Sequence, residues 1–317
     1  MKPLSTRVVL HALLLAASLA ASCASLFVTP AAAKTLTVEG VVSPAWVERA
    51  GKREPLKVGM ELRDKDRVIT GERARAMLRM SEGSAVKLGE NATLGVDGLA
   101  DSQRGDIQVV KASLDVVKGA FRFTTGIFGK PRAERDVGVK FGTVTAGVRG
   151  TDLWGRSIDK DDLVCLLEGK ISVQHAKKEF EMNEPLQFFV VPRNEPAKPV
   201  GKIAKTQIDE WSRDTEITEG LGATRAGANM KLEVARFADE AAARAFEGKL
   251  KDAGYPAVID PISNARNATD SAKFAVCVDG VAGARDRSAL SERLKPFVSG
   301  LPAPTPTPTP AAPAKNY

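Results

Sequence analysis

Residues able to carry chemistry are sparse in this chain, and their spacing limits what chemistry is open to it. Of its two histidines, His11 falls in an apolar N-terminal run. That leaves His175, in a polar stretch after a strand-like run, as the imidazole available for general acid–base work. No His, Cys and carboxylate grouping has the spacing of a zinc site, and no glycine-rich loop after a strand carries the Lys-Ser/Thr pair that cradles phosphate. Asp159-Lys160-Asp161-Asp162 gathers three carboxylates that could draw calcium. It lacks the alternation and the distal Glu of an EF-hand loop, so a solvated hairpin tip is expected there. Asn91-Ala92-Thr93 and Asn267-Ala268-Thr269 fit the glycosylation acceptor pattern, which matters only on a eukaryotic secretory route. Arg149, between Val148 and Gly150, is a charged fork that either faces solvent or pairs with Asp152 or a nearby carbonyl; a structural role is expected ahead of ligand binding. The expectation is therefore no enzyme, no cofactor and no metal.

The element that positions Arg149 is the stretch from Gly142 to Trp154, two strand-like runs joined through Gly142, Gly147 and Gly150. Glycine supplies positive φ or lets backbones approach closely, and Val144, Val148, Leu153 and Trp154 give the flanks something to bury. Around this corner, from Thr35 to Val191, short apolar runs alternate with turn signals such as Ser81-Glu82-Gly83-Ser84 and Glu168-Gly169-Lys170. Such spacing predicts an all-β sandwich over residues 34–192. As a motif, Thr143-Val-Thr-Ala-Gly-Val-Arg-Gly-Thr-Asp152 resembles the core of FecR-type domains. So do Pro55-Leu56, Asp66-Arg67-Val68-Ile69-Thr70-Gly71 and Leu167-Glu168-Gly169-Lys170-Ile171-Ser172-Val173. The resemblance implies a jelly-roll-like β structure, with Gly147, Arg149, Gly150 and Thr151 as the structural motif.

The chain's ends speak to compartment. Lys2 and Arg7 precede an uncharged run from Val8 to Val28, and Ala31-Ala32-Ala33 follow it. This is the pattern of a secretory signal peptide over residues 1–33, removed in the mature protein. A retained membrane anchor and lipidation at Cys23 are the rivals, the second poorly served by Ala20-Ala21-Ser22. Export of either kind places the protein in a bacterial periplasm. The formal net charge of +7 falls by two on cleavage, a mild basicity that does not predict a nucleic-acid partner. Cys165 and Cys277 would remain, each in an apolar run, and buried free thiols are expected rather than a disulfide.

After Pro192 the texture changes. Residues 193–229 predict a linker, with an amphipathic helix over Ile203–Ile217 and a flexible glycine-rich joint over Gly220–Asn229. From residue 230 to 299 the order strand, helix, strand, strand, helix predicts a small ferredoxin-like α+β domain. Its first helix is capped by Asp239 and ended by Gly254, and its second carries Leu290 and Leu294 and ends at Pro296. From residue 300 the Pro-Thr-Pro tail predicts polyproline II or disorder. The fold class is thus multidomain: an all-β sandwich followed by a ferredoxin-like unit.

The strand ending in Phe237, the helix start Asp239-Glu240-Ala241-Ala242, the run Leu250…Gly254-Tyr255-Pro256-Ala257 and the strand with Val276, Val278 and Gly280 resemble SPOR domains. The resemblance implies binding of peptidoglycan glycan strands on the sheet face that the helices leave open. Glu233, Arg236, Phe237, Tyr255 and Phe274 would serve there if they share that face, rings stacking on sugars beside hydrogen-bonding groups. Three departures set this segment apart: Glu233 stands where the family's usual Gln is, Ala275 and Cys277 stand where polar or basic residues are usual, and the closing strand after Phe297 is short. The leading expectation is a non-enzymatic periplasmic envelope protein that binds peptidoglycan through residues 230–299 and an envelope protein through the sandwich. The alternative is a periplasmic signalling regulator of the FecR type. Only seven residues precede the apolar run, so that regulator would act through another membrane protein. A wall hydrolase would need placed carboxylates or metal ligands that the sequence does not offer. Mass spectrometry of the exported protein should find an N-terminus near Lys34, and a lipid-modified Cys23 or an intact first segment would refute cleavage there.

Overall fold

The computed structural model describes residues 36–126, 133–262, 272–299 and 301. The expected signal peptide with Cys23, the Asn267 acceptor pattern and the tail from Pro302 lie outside the described residues. From Leu36 onward the chain is strand-rich, in order β1 (Leu36–Val42), β2 (Ala45–Arg49), β3 (Lys52–Pro55), β4 (Arg67–Thr70), β5 (Arg75–Met80), β6 (Ala85–Leu88) and β7 (Thr93–Arg104). There follow β8 (Ile107–Thr124), β9 (Ala133–Phe141), β10 (Val144–Val148), β11 (Asp152–Ser157), β12 (Asp161–Glu168), β13 (Ile171–His175), β14 (Lys178–Met182) and β15 (Gln187–Pro192). The rest is β16 (Gly201–Lys202), α1 (Lys205–Ser212), β17 (Ala223–Arg225), β18 (Met230–Phe237), α2 (Glu240–Asp252), β19 (Ala257–Pro261), β20 (Phe274–Val281) and α3 (Ala284–Val298). No helix among the described residues is long and apolar enough to cross a membrane.

Residues 36–202 form two facing sheets. One runs β3-β2-β4-β7-β8-β9-β10-β13-β14. The other runs β16-β15-β12-β11-β8-β6-β5-β1. The ladders are antiparallel except β8 with β9, which is parallel. Both sheets grow nearly in chain order, because short connections carry each hairpin across to the next free position on the facing sheet. This differs from the expected jelly-roll connectivity, whose Greek keys return the chain beside distant strands. The expected β-rich fold is there; its strand order is sequential.

Strand β8 belongs to both sheets. Its first part pairs with β7 and β9, its last six residues pair with β11, and the last four of these also pair with β6. The switch falls at Gly119, whose φ is +89° and where an added Cβ would lie 2.5 Å from the Ala92 side chain. Alternation then fills the space between the sheets: β5 and β10 bury every second residue, and Leu78, Val86, Leu94, Leu114, Phe121, Phe123 and Phe141 form its centre. Phe121 meets Phe141 edge to face with centroids 5.6 Å apart.

Helix α1 covers the outside of the second sheet. It is shorter than the expected Ile203–Ile217, giving way to a 3₁₀ turn at Arg213–Thr215. Trp211 stacks on Trp154 at 5.3 Å and Ile208 is buried beside Leu163 and Cys165. Burial pushes the Cys165 thiol up to about 12. Both Cys165 and Cys277 are buried and free.

The glycine-rich stretch after α1 is built into the sheet. Strand β17 pairs with β1 through Gly40↔Arg225, Val41↔Thr224 and Val42↔Ala223, and meets β20 at Thr224↔Val281. Beyond it β18, β20 and β19 pair in that order, with α2 and α3 sharing one core against their common face. Asp239 caps α2 by accepting from Ala242 N at 2.9 Å, as expected. Pro296 lies inside α3 instead of ending it. A proline so near a C-terminus forfeits few backbone bonds, and Phe297, packed on Tyr255 at 5.7 Å, holds the last turn in place.

Asp286, on the first turn of α3, is 2% exposed and accepts from the backbone N–H groups of Gly220, Gly222 and Ala223 at 3.1, 3.0 and 3.0 Å. These bonds seat the turn that carries β17 into place. Asp286→Ala should lower stability by about 3 kcal/mol, because buried donors would lose their acceptor. Urea unfolding measures it; a loss under about 1 kcal/mol would show that other groups satisfy the turn.

Candidate functional site

The corner before β11 divides its residues between interior and surface. Gly147 faces Ser172 across the β10–β13 ladder, where an added Cβ would lie 2.5 Å from the Ser172 hydroxyl; close approach, and not positive φ, is its reason. Gly150 does adopt positive φ, at +95°. Thr151 is buried, its N–H donating to the Thr125 hydroxyl at 2.8 Å while Thr125 N donates to the Thr151 carbonyl at 2.9 Å. Asp152 is taken by Arg122 in a two-pronged pair at 2.9 and 2.7 Å. Arg122 also reaches Glu216 at 2.9 Å, and Lys87 joins that carboxylate at 2.7 Å. The Asp152 bonds foremost hold the Arg122 guanidinium above its ordinary pKa.

With Asp152 thus engaged, Arg149 makes no hydrogen bond or ion pair among the described residues and is exposed. It borders a groove of about 630 Å³ that also holds Arg104, Lys111 and Arg135. Arg104 is paired with Glu134, Lys111 lies 3.9 Å from Asp136, and Arg135 lies 3.2 Å from the fully buried Glu82. Arg149 is the groove's uncommitted cation among the described residues. Its side chain can offer a planar fork of donors to a carboxylate.

The cluster Asp159-Lys160-Asp161-Asp162 is not the solvated tip that the sequence suggested. Asp159 is exposed, but Asp161 pairs with Arg156 at 3.0 Å. Asp162, 1% exposed, accepts from Thr143 N at 2.9 Å, from the Ser157 hydroxyl at 2.7 Å and from Arg193 at 2.8 Å. It ties the β9–β10 turn, the end of β11 and the chain after β15 to one carboxylate. Asp66 does the same near the first sheet, accepting from Arg49 at 2.6 Å and Arg63 N at 2.8 Å. Sequence reasoning missed both roles, because Asp66 between Lys65 and Arg67, and Asp162 after Asp159-Lys160-Asp161, stand among charged neighbours that read as solvated. No group of three or more His, Cys, Asp or Glu among the described residues could hold a metal. His175 Nδ1 lies 3.1 Å from the Thr143 carbonyl and donates to it in the tautomer that carries the proton on Nδ1, and the ring rests against Phe189 at 5.7 Å.

In the C-terminal sheet the five proposed glycan-binding residues divide between faces. Phe237 packs on Phe246 of α2 at 5.4 Å, Tyr255 is 5% exposed in the same core, and Phe274 lies against that core. Glu233 and Arg236, exposed on the other face, pair with each other at 2.7 Å. Cross-strand register explains the split: Phe237 opposes Phe274, whereas Glu233 opposes Cys277 and Arg236 opposes Ala275. The open face also carries Lys231, joined to Asp260 at 2.5 Å and to Asp279 at 3.2 Å. Bonding to Asp260 raises Lys231 to about 12. The aromatic rings and the polar pair are therefore not one site.

The chain thus presents a β-rich fold with a glycine-turned corner that displays an exposed arginine. Residues 66–172 match the family model described as FecR protein. Comparison with curated proteins finds no match. Among solved structures, the chain is similar to two crystal structures of a proposed anti-sigma factor from Parabacteroides distasonis. They were determined at 1.65 and 2.50 Å, each at 9% identity and a TM-score of 0.35, over 74% of this chain and 92% and 91% of theirs. At that TM-score the likeness carries no argument.

Substituting Gly150 tests the corner without steric interference, since an added Cβ there would have nothing within 4 Å. Gly150→Val should then lose about 1–2 kcal/mol from backbone strain alone. An unchanged melting temperature would show that the corner tolerates a side chain.

Proposed function

We propose that this chain is an exported, non-enzymatic signalling regulator of the FecR type, acting in the periplasm on a membrane protein partner through its sandwich. The match of residues 66–172 to the FecR family carries the reading. Arg149 within that segment, exposed and without a partner among the described residues, supports it, because a guanidinium so placed suits recognition of a carboxylate on a partner. The rest of the motif is absorbed in holding the corner.

A second reading, peptidoglycan binding by residues 230–299 as in SPOR domains, draws support from strand order. The pairing β18-β20-β19, with both helices on one face, follows the first three strands of a ferredoxin-like sheet. It is weakened where it would need its rings, since Phe237, Tyr255 and Phe274 belong to the covered core. On this reading the open-face groups Glu233 and Arg236 would have to bind sugar without aromatic stacking.

A photo-crosslinking residue at position 149 of the full chain, expressed in its own envelope, separates the two. The regulatory reading expects a discrete membrane-protein adduct from position 149 and none from a control at Arg244, and loss of that adduct's partner in pull-downs of Arg149→Glu. Absence of any membrane-protein adduct, together with sedimentation of the chain on purified sacculi, would replace it with the wall-binding reading.

A further inference from the structure

Beyond the FecR-matched segment, β13, β14, β15 and the chain after β15 enclose an open groove of about 790 Å³. Its floor is aromatic: Phe180 meets Phe189 edge to face at 5.0 Å, and the His175 ring lies beside them. Pro196, Pro199 and Val200 border it, and Val200, 38% exposed, is one of two exposed large hydrophobic residues among those described. Prolines give such a wall little freedom to collapse over the rings. Strand β14 pairs only with β13 among the described residues, so its other edge has no strand partner.

The charges around this apolar floor are of one sign. Lys177, Lys178 and Lys198 line the groove and no carboxylate does. None of the three lysines makes an ion pair among the described residues, whereas Lys87, Lys202, Lys205, Lys231, Lys251 and Lys295 all do. Three like charges gathered at the rim of an apolar cleft repel one another and leave a positive potential over it. An anionic occupant relieves that repulsion; an apolar occupant removes the floor from water.

We propose that this groove is a docking site for an extended acidic peptide segment of a partner protein, with apolar side chains entering over Phe180, Phe189 and Val200 and alternating carboxylates meeting Lys177, Lys178 and Lys198. Alternation is what an extended chain provides, successive side chains pointing to opposite sides. The site lies outside residues 66–172 and is independent of the role of Arg149.

The test is fluorescence anisotropy with the full chain and three labelled hexapeptides: Glu-Leu-Glu-Val-Glu-Leu, the same peptide with Gln for Glu, and the same with Ser for each apolar residue. The first should bind about tenfold tighter than either control and weaken as salt is raised. Reversal of the rim by Lys177→Glu, Lys178→Glu and Lys198→Glu together should abolish the preference for the acidic peptide, and Val200→Asp alone should weaken binding several-fold. These residues are exposed, so circular dichroism and melting temperature should stay at the parent's values. Equal binding of all three peptides, or an acidic preference that survives rim reversal in a folded protein, would overturn the proposal. So would sedimentation with phosphatidylglycerol vesicles in the absence of peptide binding, which would make the groove a lipid contact.

Discussion

One strand carries the architecture, and one backbone angle allows it to do so. β8 is 18 residues long and supplies a ladder to each sheet, so it must turn out of one plane and into the other without breaking its run of side chains. At Gly119 the φ of +89° and the nearness of Ala92 exclude a side chain on both torsional and steric grounds. Bent strands of this kind close the corner of a sandwich that would otherwise leave two open edges. The packing of Phe121 and Phe123 between the sheets depends on that turn, because it points them inward after the switch.

Around this frame, buried carboxylates do the joining that hydrophobic contact cannot. Asp66, Asp162 and Asp286 are each almost wholly removed from water, and each is met by several donors, those of Asp286 coming from a segment more than sixty residues away. An unpaired buried charge is strongly unfavourable, so these positions demand one arrangement of their donors and exclude neighbouring ones. Hydrophobic burial is tolerant of small shifts; a carboxylate with three or four directed partners is not. The Arg122–Asp152–Glu216–Lys87 network adds a fourth tie, holding the segment after α1 against the second sheet.

The corner that presents Arg149 follows from the same logic. Thr151 and Asp152 turn inward and are consumed by Thr125 and Arg122, and the arginine between two of the glycines is left outside with no partner among the described residues. A motif that looks uniform as sequence thus separates into residues that hold the turn and one that the turn displays. In the C-terminal sheet the separation goes the other way. Alternation sends the rings to the helix side, and the open face is left with charges that largely neutralise each other.

Local signals in the amino-acid sequence determined a good deal: the β-rich character, the hairpin turns, the corner between Gly142 and Trp154, the Asp239 cap, and the order of strands and helices after residue 230. Each rests on neighbours within a few positions, where propensity and periodicity act directly. Tertiary structure alone decided which strands became neighbours and that β17 would join a glycine-rich stretch to the sheet. It also buried Asp162 while leaving its neighbour Asp159 in water, and drew Lys177, Lys178 and Lys198 around one apolar groove. The physical reason is common to these cases: a residue's charge and size are local, but its burial and its partners are set by segments brought together only when the two sheets close.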